Sequence, residues 1–314
     1  ARTKPARWPS SKSLKKLSCA LCCGTRSNAV GLQTSELVEL RTTTTGAAAR
    51  VLNLMEDYLQ TEWSDLEVWI TSITEQWAAI SVQGPRARDV LSSVCPDHDW
   101  SAEALPHMGV TESEIRSVPV RVFRVSFTGE LGFEINIPNG YGFSLWEELV
   151  EAANNVGGGV YGTDTMHVLR AEKGYIVVGQ ETDGTMVPDD VGLNWLVGKN
   201  KPDFVGKRSL TRVGMQREDR PQLVGLLTEQ TQIVLQEGAQ TTADSNPKLG
   251  GPALGFVSSA YYSAHLERSI ALAMVAGGRT RIGENLFVPM PEQSIAVEVV
   301  APLFFDPQGE RLNG

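Results

Sequence analysis

The chain has 314 residues, 41% of them hydrophobic and 21% charged, with a formal net charge of −9. This is the composition of a soluble globular protein with room for two domains, and no run of about 18 apolar residues is present to form a transmembrane helix. The charge is uneven: residues 1–41 hold eight Lys or Arg and two Glu, a balance of +6, so the rest carries −15, which argues against nucleic acid as a partner for the body.

Residues 1–41 read as a basic, poorly structured head. Apolar periodicity is weak there, so little buried surface would offset the entropy of ordering it. No apolar stretch and cleavage site follow the basic residues, so no signal peptide is expected. Cys19, Cys22 and Cys23 cluster and Cys95 stands apart, with no second pair or His at zinc spacing. These are read as incidental thiols with no metal site, and a cytoplasmic location is the expectation.

Sequence character changes at Thr42, where a Thr run ends on Gly46. Ala47–Leu59 has Val51, Leu54, Met55 and Tyr58 at helical spacing. Leu66–Ile73 alternates as a strand, and Trp77–Val82 reads as another. Gly84-Pro85 opens a helix over Arg86–Ser93. Val118–Phe127 and Phe133–Ile137 are the central strands, and Phe143–Ala153 is a helix with Leu145, Leu149 and Ala152 in register. Tyr161–Lys173 reads as a helix that Thr163 or Asp164 can cap. Trp195–Val197 reads as a short strand, and Phe204–Leu210 begins one more helix. The charged, Gly-bearing stretch Val213–Arg220 is a linker. From about Gln222 the pattern is all-β: Leu223–Thr228, Leu254–Ser258, Ser269–Val275, Asn285–Val288 and Ile295–Val300 are short strands between turns, as in a small barrel. The fold class is α+β, and the expected division is a head at 1–41, a body at 42–214 and a β-domain at 215–314.

The stretch Val122–Ile137 organises the rest. Two β-rich runs flank Thr128-Gly129-Glu130-Leu131-Gly132. In the second run Phe133, Ile135 and Ile137 alternate with Glu134 and Asn136, so one face is apolar and the other polar. If the polar face meets solvent, Glu134 is an ordinary carboxylate; if it lines a cavity, Glu134 can accept paired N–H donors from a flat heterocycle. No dinucleotide or phosphate-loop fingerprint is present, and Gly157-Gly158-Gly159 is a loop. Ser-His-Asp catalysis has no nucleophile-elbow context.

Ser126–Ile135, followed by Tyr161–Asp183 and Phe204–Leu210, resembles the tetrahydrofolate-dependent aminomethyltransferase family. That family includes the glycine cleavage T-protein and the carboxy-terminal parts of sarcosine and dimethylglycine dehydrogenases. Within it, Met166–Gly174 and the ending Phe304–Arg311 are most similar to the branch of the alpha subunits of heterotetrameric sarcosine oxidase, and the match runs from about Thr42 to Gly314. The resemblance implies an aminomethyltransferase-like body of antiparallel sheets with helices, followed by a small all-β barrel domain. It implies tetrahydrofolate as ligand, with Glu134 accepting from the pterin edge, a charge-assisted bidentate pair. Phe127 stands where many relatives have a Tyr near the pterin and can wall the ring or be plain core. Tyr161, Tyr261 and Tyr262 are further candidates for the pocket wall.

Two positions depart from the family. Met166 stands where aminomethyltransferases often carry an Arg, and the acid that relatives place upstream of the Thr run is missing, since the first Asp is Asp57 and only Glu36 and Glu39 precede that run. No catalytic residue is assigned. His167 and Trp195 are read as packing residues, and Arg170 and Glu172 as members of structural ion pairs. By resemblance, flavin (FAD, FMN) and NAD chemistry lies elsewhere in the parent assembly, with the other sarcosine oxidase subunits, or the missing amino-terminal part of the alpha subunit, as partners. The function implied is capture by tetrahydrofolate of the one-carbon unit from oxidised sarcosine, giving glycine and 5,10-methylenetetrahydrofolate. The chain would thus be part of an oxidoreductase acting on CH–NH donors. The alternatives are a free-standing aminomethyltransferase and a non-catalytic remnant that keeps the fold.

Overall fold

The computed structural model describes residues 25–26, 42–248 and 250–314. The expected head, with Cys19, Cys22, Cys23, Glu36 and Glu39, lies almost wholly outside them. The described chain forms two compact units: one runs up to Tyr161 and takes back the last six residues, Gly309–Gly314, and the other spans Gly162–Gln308.

In the first unit, β1 (Thr25–Arg26) pairs antiparallel with β2 (Thr43–Thr44), and a 3-10 turn leads into α1 (Ala48–Thr61). Leu54, expected on the inner face of this helix, is exposed. Next come β3 (Trp77–Gln83), α2 (Ala87–Val94), β4 (Val110–Ile115), β5 (Val118–Phe123), β6 (Gly132–Pro138) and α3 (Gly142–Asn155). The sheet is antiparallel throughout, in the order β3-β6-β5-β4. Val90 and Leu91 of α2 and Leu145, Leu149 and Ala152 of α3 bury against Val122, Phe133, Ile135 and Ile137. Burying such side chains is worth about 1.5–3 kcal/mol each. Trp100 meets Phe133 edge-on at 6.1 Å between centroids and donates its indole N–H to the carbonyl of Cys95, 2.9 Å.

Three expectations are corrected here. Leu66–Ile73 forms no strand, and its Trp69 is 84% exposed: alternation alone does not make a strand without a neighbour to pair with. The central strand expected over Val118–Phe127 ends at Phe123; Arg124 still exchanges backbone hydrogen bonds with Gly109 and Met108, and its buried guanidinium donates to the carbonyls of Gly132 and Leu312, 3.3 and 2.7 Å. Trp195–Val197 is not a strand; Asn194–Leu196 is a 3-10 turn. Within this four-stranded sheet, β4 has no counterpart in the reading above. It joins β5 through a two-residue turn, Arg116-Ser117, with both residues at positive φ (50° and 62°), as hairpins of this loop length favour.

The second unit opens with α4 (Thr163–Glu172), followed by irregular chain, α5 (Lys207–Leu210) and six strands: β7 (Pro221–Thr228), β8 (Gln240–Thr241), β9 (Gly255–Ser263), β10 (Arg268–Ala276), β11 (Asn285–Pro289) and β12 (Ser294–Val300). Their order is β11-β12-β7-β10-β9-β8. Thr242, just past β8, exchanges backbone hydrogen bonds with Phe287 of β11 at 2.8 and 2.9 Å. That contact closes the sheet into a barrel and leaves no long open edge. Val224, Leu226, Val257, Ala273, Val275, Leu286, Val288, Val297 and Val299 fill its interior. The stretch Val213–Arg220 is tied down within this unit, Arg220 pairing with Asp190 and donating to the carbonyl of Thr185. The α+β class, with a barrel after the mixed part, is as expected.

Candidate functional site

The alternation of β6 sets the site. Phe133, Ile135 and Ile137 point to the helices and are buried. Glu134 and Asn136 therefore project from the opposite face of the sheet. Strand register places Glu134 between Ser81 of β3 and Phe123 of β5, and Asn136 between Ala79 and Arg121. This polar face is not open solvent, because Glu134 is half-buried and Asn136 is 0% exposed.

Two side chains meet at Ser81, the neighbour of Glu134 across the sheet. The Tyr161 hydroxyl is hydrogen-bonded to the Ser81 side chain; burial pushes this phenol up from its ordinary pKa and the bond to Ser81 partly offsets the shift. Gln83, at the end of β3, donates its amide to the same Ser81 hydroxyl at 2.7 Å. The carbonyl oxygen of Gln83 accepts from the hydroxyls of Ser126 and Thr128, both at 3.1 Å. Ser126 in turn accepts the Gly129 N–H at 3.1 Å, and Gly129 sits at φ +82°, where a side chain would be strained. A single amide therefore fastens the turn that carries Phe127 to the strand paired with Glu134. Gly132 leaves room for it: a Cβ there would lie 2.2 Å from Oε1 of Gln83, so the amide would have to move.

Further along the same face, Asn136 donates its side-chain amide to Oε1 of Glu134 at 3.1 Å. Arg121 pairs with Glu112 at 3.0 Å, and its guanidinium lies 5.4 Å from the centre of the Trp77 ring.

Two of the three residues expected in a folate site, Glu134 and Tyr161, thus meet on one sheet face through Ser81. Phe127, half-buried, stands in the turn fastened to that face. Tyr261 and Tyr262 lie in the other unit. Tyr261 accepts from Arg170 at 3.3 Å, and Tyr262 accepts from Gln232 at 3.4 Å. The expected structural ion pair is found for Arg170 but, among the described residues, not for Glu172, which has a neutral partner instead. Arg170 pairs with Glu181 at 2.9 Å, both side chains 0% exposed, and Glu172 accepts from Ser263 at 2.6 Å. Sequence reading missed Ser81, Gln83 and Asn136. The signal was present, since Ala79, Ser81 and Gln83 alternate with Ala78, Ile80 and Val82 just as Glu134 and Asn136 alternate with apolar neighbours. Among the described residues no three His, Cys, Asp or Glu are grouped to hold a metal ion, and no helix is long and apolar enough to cross a membrane.

A half-buried carboxylate on a sheet that precedes a closed barrel is the architecture of a known class. The family model of the GCVT N-terminal domain matches residues 25–201, and that of the glycine cleavage T-protein C-terminal barrel domain matches residues 222–306. The chain belongs to the glycine cleavage T-protein family.

Within that family the chain is 46% identical over 288 residues to sarcosine oxidase subunit alpha of Corynebacterium sp. (strain P-1), covering 91% of this chain and 30% of that one. With the subunit alpha of Rhizobium meliloti (strain 1021) the identity is 41%, over 89% and 29% of the two chains. It is 30% identical to an aminomethyltransferase of Thermotoga neapolitana, covering 81% of this chain and 66% of that one. The chain therefore spans about 30% of the length of the sarcosine oxidase subunits it matches. In fold it is similar to the crystal structure of glycine cleavage system aminomethyltransferase T from Bartonella henselae, with a TM-score of 0.71 and 23% identity over 86% of this chain and 69% of that one.

Proposed function

We propose that this chain is the tetrahydrofolate-binding portion of a sarcosine oxidase alpha subunit. The observation that carries the reading is Glu134: a half-buried carboxylate, held by an amide donor, in a family of aminomethyltransferases. The gap between 46% identity to sarcosine oxidase subunits and 30% to a free-standing aminomethyltransferase favours the former branch. Met166, where that second group often carries an Arg, points the same way.

In this reading Glu134 accepts the amino and ring N–H groups of the pterin edge, two parallel charge-assisted bonds that fix its orientation. Tyr161 and Phe127 wall the ring, with Ser81 and Gln83 holding both in register with the sheet. Tetrahydrofolate is the substrate that takes up the one-carbon unit of oxidised sarcosine, leaving glycine and 5,10-methylenetetrahydrofolate. The chain's own contribution is positioning, which raises the effective concentration of the reacting nitrogens. Oxidation of sarcosine, with FAD, FMN and NAD, belongs to the rest of a cytoplasmic assembly, whose other parts are the partners of this chain.

The test is a titration with tetrahydrofolate by calorimetry, in parallel with tryptophan fluorescence. Glu134→Gln keeps the shape but turns an acceptor into a donor facing a donor, and should weaken binding by about 2–4 kcal/mol, roughly 30- to 1000-fold. Equal affinity in the two forms would remove Glu134 from the site. No binding by either would favour the remnant.

A further inference from the structure

The alternation that puts Glu134 on the polar face also puts Asn136 there, and Asn136 is the odd member. It is 0% exposed, so a group of its size gains most by being apolar at that position. Its Nδ2 donates to Glu134 Oε1 at 3.1 Å, while its own Oδ1 is buried with no hydrogen-bond partner. The orientation of the amide is fixed by chemistry: turned over, Oδ1 would face a carboxylate oxygen, acceptor against acceptor. The fold thus carries a buried, half-satisfied amide, an arrangement that is worse for stability than an apolar core. The one side-chain hydrogen bond it makes is to the carboxylate.

We propose that Asn136 is the positioning residue for Glu134, and that through it this face selects ligands bearing an amino group beside a ring N–H; the inference rests on the folate reading above. A Glu side chain on a strand has three rotatable bonds, and a bidentate pair needs its carboxylate plane held in one orientation. Residues two apart on one strand face stand about 7 Å apart, so Asn136 reaches Glu134 sideways, along the strand. Holding the carboxylate beforehand spares the ligand that ordering cost on binding. Asn136 itself does not touch the ligand, which agrees with its complete burial.

The experiment uses the full chain, with tetrahydrofolate and a reduced folate whose 2-amino group is replaced by methyl as the two probes. The variants are Asn136→Leu, which removes donor and orphan oxygen together, and the near-isosteric Asn136→Asp, which replaces the donor by a second acceptor and, when ionised, sets a like charge beside Glu134. In both variants tetrahydrofolate affinity should fall about tenfold, the equivalent of one lost ordering contact. Affinity for the methyl analogue should stay within about twofold, because that ligand cannot make the amino contact. Asn136→Leu should also melt no lower than the wild type. A merely structural Asn136 would weaken both ligands equally or lower the melting temperature with affinity unchanged, and either result overturns the proposal. So does loss of a cooperative transition in both variants, which would make the amide a folding determinant. If the wild type bound neither folate, the folate reading itself would fall and this inference with it; normal wild-type binding with an unchanged Asn136→Leu would sink the inference alone.

Discussion

Glu181 offers the sharpest test of how the second unit is held together. Its carboxylate is 1% exposed and accepts from four donors. These are Arg170 Nη1 at 2.9 Å, the Val177 N–H at 2.7 Å, the Ser258 hydroxyl at 3.1 Å and the Ser259 hydroxyl. Arg170 keeps four other oxygen partners, Tyr175, Gln180, Ser259 and Tyr261, but none is charged. Glu181→Ala therefore leaves a fully buried guanidinium without its counter-charge. Removing one partner of a buried pair costs about 3–5 kcal/mol, and the released Val177, Ser258 and Ser259 donors place the effect at the upper end. For a unit of this size that is a fall of roughly 10 °C in melting temperature, read by calorimetry as the transition of the 162–308 unit. The double variant Arg170→Met with Glu181→Leu should recover most of the loss, because an apolar pair removes the desolvated charge altogether. A Glu181→Ala protein within about 1 kcal/mol of wild type would refute the account.

Two further predictions follow from the same packing logic. Burial first, and the Arg124 charge second, hold His107 below its ordinary pKa of 6.5, so the unfolded chain takes up its proton first. Stability should be complete above pH 6.5 and decline as the pH falls from there toward the lowered value, and His107→Gln should flatten that slope in urea melts between pH 5 and 7; an unchanged slope would mean that His107 does not contribute. At Gly255 a Cβ would stand 1.9 Å from the Met274 carbonyl oxygen and 2.8 Å from the Val275 Cα. Backbone cannot yield there as a side-chain tip can, so Gly255→Ala should destabilise the barrel by at least about 2 kcal/mol, and a neutral effect on its unfolding midpoint would count against the close strand approach.

Much of this protein is legible in order along the chain. The period-3.6 pattern at 142–155 and the short turn-separated runs after residue 222 specify α3 and the barrel strands, because amphipathic periodicity is a local property. The alternation of Phe133, Ile135 and Ile137 with Glu134 and Asn136 likewise fixed which residues face the core and which the polar side. The reading failed where pairing decides. Leu66–Ile73 alternates as well as a true strand but has no partner, whereas Val110–Ile115, with Thr, Glu, Ser and Glu between its apolar ends, becomes the edge strand β4 because a two-residue turn folds it onto β5.

The site divides in the same way. Sequence pattern and resemblance pointed to Glu134, Tyr161 and Phe127 one residue at a time. What joins Tyr161 to Glu134 through Ser81, fastens the Phe127 turn to Gln83 and buries Asn136 against the carboxylate is strand register, which depends on contacts distant in sequence. The same holds for Arg170 and Glu181. Each charge looks like a surface residue in its own segment, and both become buried because residues 258–263 of the barrel pack over them. A charge can be buried only where its partner is delivered with it, and which segment delivers that partner is a property of the tertiary fold.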